Sequence, residues 1–267
     1  MIKVIVAGAA GRMGSRLVAL IKESTALTLA GALEGKGHPA LSEDAGEAAG
    51  VGKIGIPITD NLPLLLERGE VVIDFSAPEA TLSHFHAVAE RRRAIVVGTT
   101  GFTAAQWDEL RSLAKQVPCV CSPNMSVGVN LIYKVIREMA RTLGEDYDIE
   151  VIEAHHRLKK DAPSGTALKI AEVLAEAVNR NLDQVGVYAR RGLIGERKKQ
   201  EIGIQTIRAG DIVGDHTVLF GGMGERIEVT HRASSRDTFA RGALRAAQWV
   251  VKQPPGLYDM MDVLNLK

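Results

Sequence analysis

Apolar positions along this chain follow two periods. Runs at 2–7, 27–33, 71–75, 94–97 and 118–121 are apolar and β-branched almost without interruption, the pattern of strands covered on both faces. Between them, 12–22, 78–93 and 104–115 repeat apolar residues at helical spacing; in the first, Met13, Leu17, Leu20 and Ile21 share one side. Strands and helices in alternation predict an α/β fold with a doubly wound parallel sheet.

After Asn124 the pattern changes. Residues 127–143 and 165–177 predict helices, and 148–153 predicts a strand. Strands at 201–207, 213–220 and 226–231 are expected in antiparallel succession, turning at Ala209-Gly210-Asp211 and Gly221-Gly222-Met223-Gly224. This half reads as a smaller α+β unit. A last helix, 238–251, stops before Pro254-Pro255 and can return to either half.

At 267 residues, two domains are favoured over one. With 33 basic and 32 acidic side chains the net charge is +1, which provides no global field for nucleic acid or anionic lipid and leaves a small molecule as the expected partner. No run reaches the ~20 apolar residues of a membrane span, and the N-terminus lacks a signal-peptide layout, so a cytoplasmic protein is expected. Cys119 and Cys121 share one face of a strand without a disulfide's geometry, which fits a reducing compartment.

Gly8-Ala9-Ala10-Gly11-Arg12-Met13-Gly14 joins a strand to a helix. Glycines there permit a tight turn and close approach of a pyrophosphate, held by the helix N-terminal amides. The spacing is G-x-x-G-x-x-G, not the commoner G-x-G-x-x-G. Glu34 strengthens the reading: it ends the second strand 20 residues after Gly14, where an acid accepts from adenosine ribose hydroxyls. Glu34 favours NADH, whereas Lys36 can reach a 2′-phosphate, so use of either NADH or NADPH is expected. Gly98-Thr99-Thr100-Gly101 and Ser122-Pro123-Asn124-Met125 follow later strands and belong at the same carboxyl edge, at the nicotinamide end.

The densest chemistry lies in Glu153-Ala154-His155-His156-Arg157-Leu158-Lys159-Lys160-Asp161-Ala162-Pro163-Ser164-Gly165-Thr166-Ala167. This cationic stretch precedes a helix start, where Ser164 can cap and the Gly165 and Thr166 amides can bind a carboxylate. A small anionic substrate is implied. Imidazole suits proton transfer near neutrality, and Lys159 stands four residues from His155. Adjacent strand histidines face opposite ways and no third ligand follows, so no metal is expected. His84 and His86 read as surface residues, Arg91-Arg92-Arg93 as a solvated helix end, and Arg197-Lys198-Lys199 as loop. Cys121 is a candidate acyl-forming nucleophile of an aldehyde dehydrogenase or an inert thiol, its apolar setting favouring the second. A cofactor-sensing module without turnover is the non-enzyme alternative.

These motifs resemble the dihydrodipicolinate (4-hydroxy-tetrahydrodipicolinate) reductase family: Gly8-x-x-Gly11-Arg12-Met13-Gly14, Gly98-Thr99-Thr100-Gly101-Phe102 and, most specifically, the 153–167 stretch. The resemblance runs the length of the chain. It implies a Rossmann-type dinucleotide-binding domain of residues 1–126 with 236–267, and a substrate-binding and tetramerisation domain of residues 127–235. Hinge closure and a homotetramer are likewise implied. The implied reaction, in lysine and diaminopimelate synthesis, is hydride transfer from NADH or NADPH to C4 of a cyclic unsaturated imine bearing two carboxylates, after the 4-hydroxyl leaves as water. By the same resemblance His155 is proton donor and acceptor, Lys159 proton donor, and His156, Gly165 and Thr166 substrate ligands, with Ser164 placed among the substrate-binding residues at the same helix start. Gly8, Ala9, Ala10, Gly11, Arg12, Met13, Glu34, Gly98, Thr99, Thr100, Ser122, Pro123, Asn124 and Met125 would hold the cofactor. Gly35 stands where some relatives carry an arginine for the 2′-phosphate, and Met125 where many carry an aromatic residue.

Overall fold

A strand that is apolar on both sides has to bury both faces. β1 (Ile2–Ala7) does so by sending Val4 and Val6 into one core and Ile5 and Ala7 into another. The computed structural model describes residues 1–267 and divides into two units, Met1–Val127 with Asp237–Lys267, and Gly128–Arg236. In the first unit β1 is followed by α1 (Arg12–Lys22), β2 (Leu27–Leu33), α2 (Ala45–Ala48), β3 (Ile58–Thr59), α3 (Leu62–Leu66), β4 (Val71–Asp74), α4 (Pro78–Glu90), β5 (Ala94–Val97), α5 (Ala104–Leu113) and β6 (Pro118–Cys121). The second unit contains α6 (Val127–Leu143, but for its first residue), β7 (Asp148–His155), α7 (Gly165–Ala177), α8 (Leu182–Val185), β8 (Gly186–Val187), β9 (Ile202–Arg208), β10 (Gly214–Gly221) and β11 (Arg226–Ala233). The chain closes in the first unit with α9 (Asp237–Val250), β12 (Gly256–Tyr258) and α10 (Met260–Val263).

The first sheet is parallel throughout, in the order β12-β6-β5-β4-β1-β2-β3. One core lies under α1 and α9, the other under α3, α4 and α5. Strand order reverses between β1 and β4, so the loops leaving their carboxyl ends diverge and open a crevice there. α9, the helix expected at 238–251, belongs to this unit. Gly242 lets it press onto the chain after β6, because a Cβ there would lie 1.7 Å from the Met125 carbonyl oxygen.

In the second unit the sheet runs β11-β10-β7-β9-β8. The expected antiparallel succession holds for β10 with β11, closed by the Gly222 amide donating to the Glu225 carbonyl at 2.9 Å. β9 also runs opposite to β10, but the two do not pair: β9 lies parallel to β7. β7 is inserted between β9 and β10, so residues 209–213 pass over the end of β7 instead of turning a hairpin. β7 itself extends two residues beyond the expected Glu153, which places His155 at the end of a strand. Burial alternates along β7 and β10, the mark of a sheet packed on one face only. Val129, Ile136, Ile170 and Leu174 of α6 and α7 supply that packing.

Arg197 lies in a loop, as expected, but is not idle there: its guanidinium donates to Asp148 Oδ1 at 2.6 Å, to Glu150 Oε1 at 3.1 Å and to the Ile149 and Glu201 carbonyls. The solvated helix end expected at 91–93 needs one correction. Arg93 turns inward to the Leu66 carbonyl, leaving Arg91 and Arg92 exposed.

Candidate functional site

At the end of β1 the chain turns through Gly8, whose φ of +70° suits glycine. Gly11 caps α1 with no side-chain hydrogen bond, and the first turn holds no acid, so the helix start carries partial positive charge with nothing of its own to neutralise it. Gly14 lets α1 lie against β1, since a Cβ there would stand 2.0 Å from the Gly8 carbonyl oxygen. Glu34 reaches across from the end of β2 and accepts from the Ala10 amide at 2.9 Å and from its neighbour Gly35 at 3.1 Å. The loop and the acid are thus one assembly. An uncapped helix start, a glycine turn and a carboxylate at the switch point fit a dinucleotide. No steric demand accounts for Gly35: a Cβ there meets nothing within 4 Å.

Along the same edge, the Gly98 amide donates to the Asp74 carbonyl, and Gly98 packs so closely on Phe75 that a Cβ would come within 2.2 Å of the ring. Thr99 is buried and Thr100 exposed. Beyond β6, Ser122 Oγ donates to the Asn124 carbonyl, the Asn124 side chain accepts from the Ser126 amide, and Pro123 is exposed. Met125 is 1% exposed and its side chain belongs to the core, so the fold uses it for packing. Cys121 is a buried free thiol, the setting favoured for an inert cysteine. Burial pushes its thiol up to about 12, and pushes Cys119 well above its ordinary value. His84 is no simple surface residue, because its Nδ1 meets the buried Asp74 carboxylate at 2.7 Å. His86 is exposed and pairs with Glu109.

The 153–167 stretch builds the second polar site. Glu153 and His155 are two apart on β7 and so share a face. Glu153 is fully buried, and Arg208 from the adjoining β9 grips both its oxygens at 2.9 Å. Thr206 Oγ1 and the Ser164 amide donate to Oε1, at 3.2 and 3.1 Å. Burial alone would raise the Glu153 carboxyl; the hydrogen bonds from Arg208, His155 and Ser164 outweigh it and hold it below its ordinary value. An ionised carboxylate only accepts, so the 2.5 Å contact requires His155 Nδ1–H to donate to Glu153 Oε2. Nε2 is then the ring atom left to exchange a proton. It faces Gly214, where a Cβ would stand 3.0 Å away.

Burial pushes His155 below its ordinary value, against the pull of Glu153, and the Lys159 and Arg208 charges push the same way. Lys159 Nζ pairs with the exposed Asp161 at 2.9 Å. His156 is half-buried, its amide held by the Ile212 carbonyl in the segment that crosses β7. Ser164 takes the capping place expected of it. It is 2% exposed, and its hydroxyl caps α7 through the Ala167 amide and meets His216 Nε2 at 3.2 Å. Gly165 and Thr166 open the helix beside it. No group of three His, Cys, Asp or Glu side chains is arranged to hold a metal ion, and no helix is long and apolar enough to cross a membrane.

His216 stacks edge-on to His155 at 5.2 Å. Burial, joined by the neighbouring positive groups, pushes its imidazole down to about 4. The folded protein therefore keeps it neutral, while the unfolded chain protonates it near 6.5. A depressed folded value means that the stability is present above pH 6.5 and is lost as pH falls toward 4, by on the order of 3 kcal/mol. Chemical denaturation at several pH values checks this: His216→Asn should lose less stability than the native protein over that interval, and equal losses would contradict it.

Sequence reasoning missed Arg208, Thr206, Gly214 and His216. They lie on strands whose neighbours are set by sheet order, for which the chain offers no local signal. Glu153 was available, through its period-two relation to His155.

Family models for the dihydrodipicolinate reductase N-terminus and C-terminus match residues 2–125 and 128–264. A 4-hydroxy-tetrahydrodipicolinate reductase of Syntrophus aciditrophicus (strain SB) is 57% identical over 267 residues, 100% of each chain. One from Syntrophobacter fumaroxidans is also 57% identical over the full length of both chains. Among solved structures, dipicolinate-bound dihydrodipicolinate reductase from Paenisporosarcina sp. TG-14 matches with a TM-score of 0.75 at 25% identity, covering 98% of each chain.

Proposed function

The chain belongs to the dihydrodipicolinate reductase family, and from that premise we propose how its own residues divide the work of the reaction. It is an oxidoreductase that uses a pyridine nucleotide to reduce 4-hydroxy-tetrahydrodipicolinate to tetrahydrodipicolinate, with loss of water, in the diaminopimelate route to lysine. The observation that carries the assignment of roles is the buried Glu153, which orients His155 beside the cationic start of α7.

The first unit is the dinucleotide-binding domain. Residues 8–13 take the pyrophosphate, Glu34 the adenosine ribose, and 98–100 with 122–125 the nicotinamide end, Met125 through its backbone. When bound, the reduced nicotinamide supplies the hydride. The second unit binds the substrate: the Gly165 and Thr166 amides take one carboxylate at the helix start, Lys159 supplies binding charge and His156 a hydrogen-bonding side chain. Lys159 delivers the proton that the electron-accepting end requires, and His155 exchanges a proton through Nε2. Ser164 acts indirectly, by capping α7 and holding His216.

Both NADH and NADPH should serve. Glu34 disfavours a 2′-phosphate, but open space at Gly35 and the exposed Lys36 leave room and charge for one. The test follows loss of the reduced cofactor's absorbance with freshly generated 4-hydroxy-tetrahydrodipicolinate. Turnover with NADH alone would mean that Lys36 does not take the phosphate. No turnover with either, from folded protein that binds cofactor, would overturn the reading in favour of a sensing module or another dehydrogenase.

The enzyme is a cytoplasmic homotetramer in this reading. What supports self-association is the helix-free face of the second sheet, where Ile152, Leu219 and the exposed Ile207 put apolar side chains on the surface.

A further inference from the structure

Asp74 ends β4 at the switch point, fully buried, in an apolar strand that has no structural need of a carboxylate. Its Oδ1 accepts from the Ser76 amide at 2.8 Å and from the Ser76 hydroxyl at 2.6 Å, and its Oδ2 meets His84 Nδ1 at 2.7 Å. The contacts continue. Ser76 Oγ lies 3.4 Å from Thr81 Oγ1, and Thr81 Oγ1 lies 2.8 Å from Thr99 Oγ1. Thr81 is fully buried on α4, and Thr99 is buried in the loop after β5. This chain of polar groups therefore ties two loops at neighbouring strand ends, 75–77 and 98–101. At its other flank the Ser76 Cβ stands 4.0 Å from the position of a Cβ on Gly8, so the same loop borders the glycine turn.

A buried carboxylate is costly unless its hydrogen bonds are satisfied, and loops at a strand's carboxyl end are the parts of such a sheet freest to move. Asp74 gives one oxygen to the first of those loops, through Ser76, and the other to His84 on α4. We propose that Asp74, Ser76 and Thr81 form a positioning chain that holds the 98–101 loop, through Thr99, in the shape that receives the nicotinamide half of the cofactor. The proposal rests on the dinucleotide reading of this crevice and deepens it. None of the three residues is assigned a step in the chemistry; they act through Thr99 and the loop backbone, so their loss appears in binding and in KM for the cofactor.

Thr81→Val is the sharpest variant, because it removes one hydroxyl at constant volume. Its Kd for NADH, read from nicotinamide fluorescence or calorimetry, should rise about 3–10-fold, the value of one neutral hydrogen bond. Its Kd for ADP-ribose, which lacks the nicotinamide, should stay unchanged, and Thr81→Ser should restore NADH binding. Ser76→Ala, at a partly exposed position, should show the same split and serves should the buried variant fail to fold. A merely structural role would weaken both ligands alike, and that result, or an unchanged NADH affinity, overturns the proposal. Native protein that binds neither NADH nor ADP-ribose would instead overturn the dinucleotide reading, and the positioning chain with it.

Discussion

Lys159→Ala is expected to lower kcat by about 10²-fold or more, the usual contribution of a positioned general acid, while the Kd for NADH stays unchanged. Lys159 sits beside the residues that matter. Its charge bears on both His155 and His216, and Asp161 holds its Nζ at 2.9 Å. Deleting the side chain removes a proton donor and a binding charge together, so the companion variant is Lys159→Arg. The guanidinium keeps the charge but does not give up its proton, because it stays protonated at every working pH. A kcat as low in Lys159→Arg as in Lys159→Ala, with KM for the substrate largely recovered, separates proton delivery from charge. Turnover in Lys159→Ala equal to that of the native enzyme would end the assignment.

Glu153→Gln should have the second largest effect, on two measurements at once. The substitution preserves shape but leaves the Arg208 guanidinium without its counter-charge, and breaking a buried pair costs about 3–5 kcal/mol. The folded Glu153 carboxyl titrates below its ordinary value, so its stabilisation is present at neutral pH and is lost as pH falls through the carboxylate range. The stability gap between native protein and variant, measured by chemical denaturation, should therefore be wide at pH 7 and narrow under acid conditions. The kinetic effect has its own sign. Glu153 pulls His155 upward against burial, so without it the imidazole drops further. A step that needs protonated His155 will then lose activity at a lower pH than in the native enzyme. A glutamine side chain can also present an N–H where the carboxylate accepted one, which disturbs the orientation of the ring; kcat should fall about 10-fold or more. An unshifted pH profile with reduced stability alone would make Glu153 a fold residue only.

Both variants act on a site whose parts differ in how far the chain alone reveals them. The Gly8–Gly14 turn, Glu34 and the long strands and helices follow from local pattern. A parallel sheet buried on both sides requires continuous apolar strands, and a β-α turn that admits a pyrophosphate requires glycine at defined offsets. The short elements were not legible. β3, β8 and β12 are two or three residues long and exist only because a neighbouring strand offers its edge. His84 illustrates the same limit: its helical spacing describes a surface position, and only the approach of α4 to the end of β4 gives it a buried carboxylate as partner.

The candidate catalytic set divides along the same line. His155, His156, Lys159, Gly165 and Thr166 form one contiguous run, and chain connectivity carries them together from a strand end to a helix start. Arg208 lies 55 residues from Glu153, and His216 lies 52 from Ser164. They arrive because β9 and β10 flank β7, an order at odds with the hairpin that the turn at 209–211 suggested. Periodicity and short motifs record interactions between neighbours in the chain, and these specify each element and the chemistry it carries. Strand order and register are instead the outcome of packing whole elements against one another. They alone turn a histidine-rich segment into an imidazole held by a buried, arginine-clamped carboxylate.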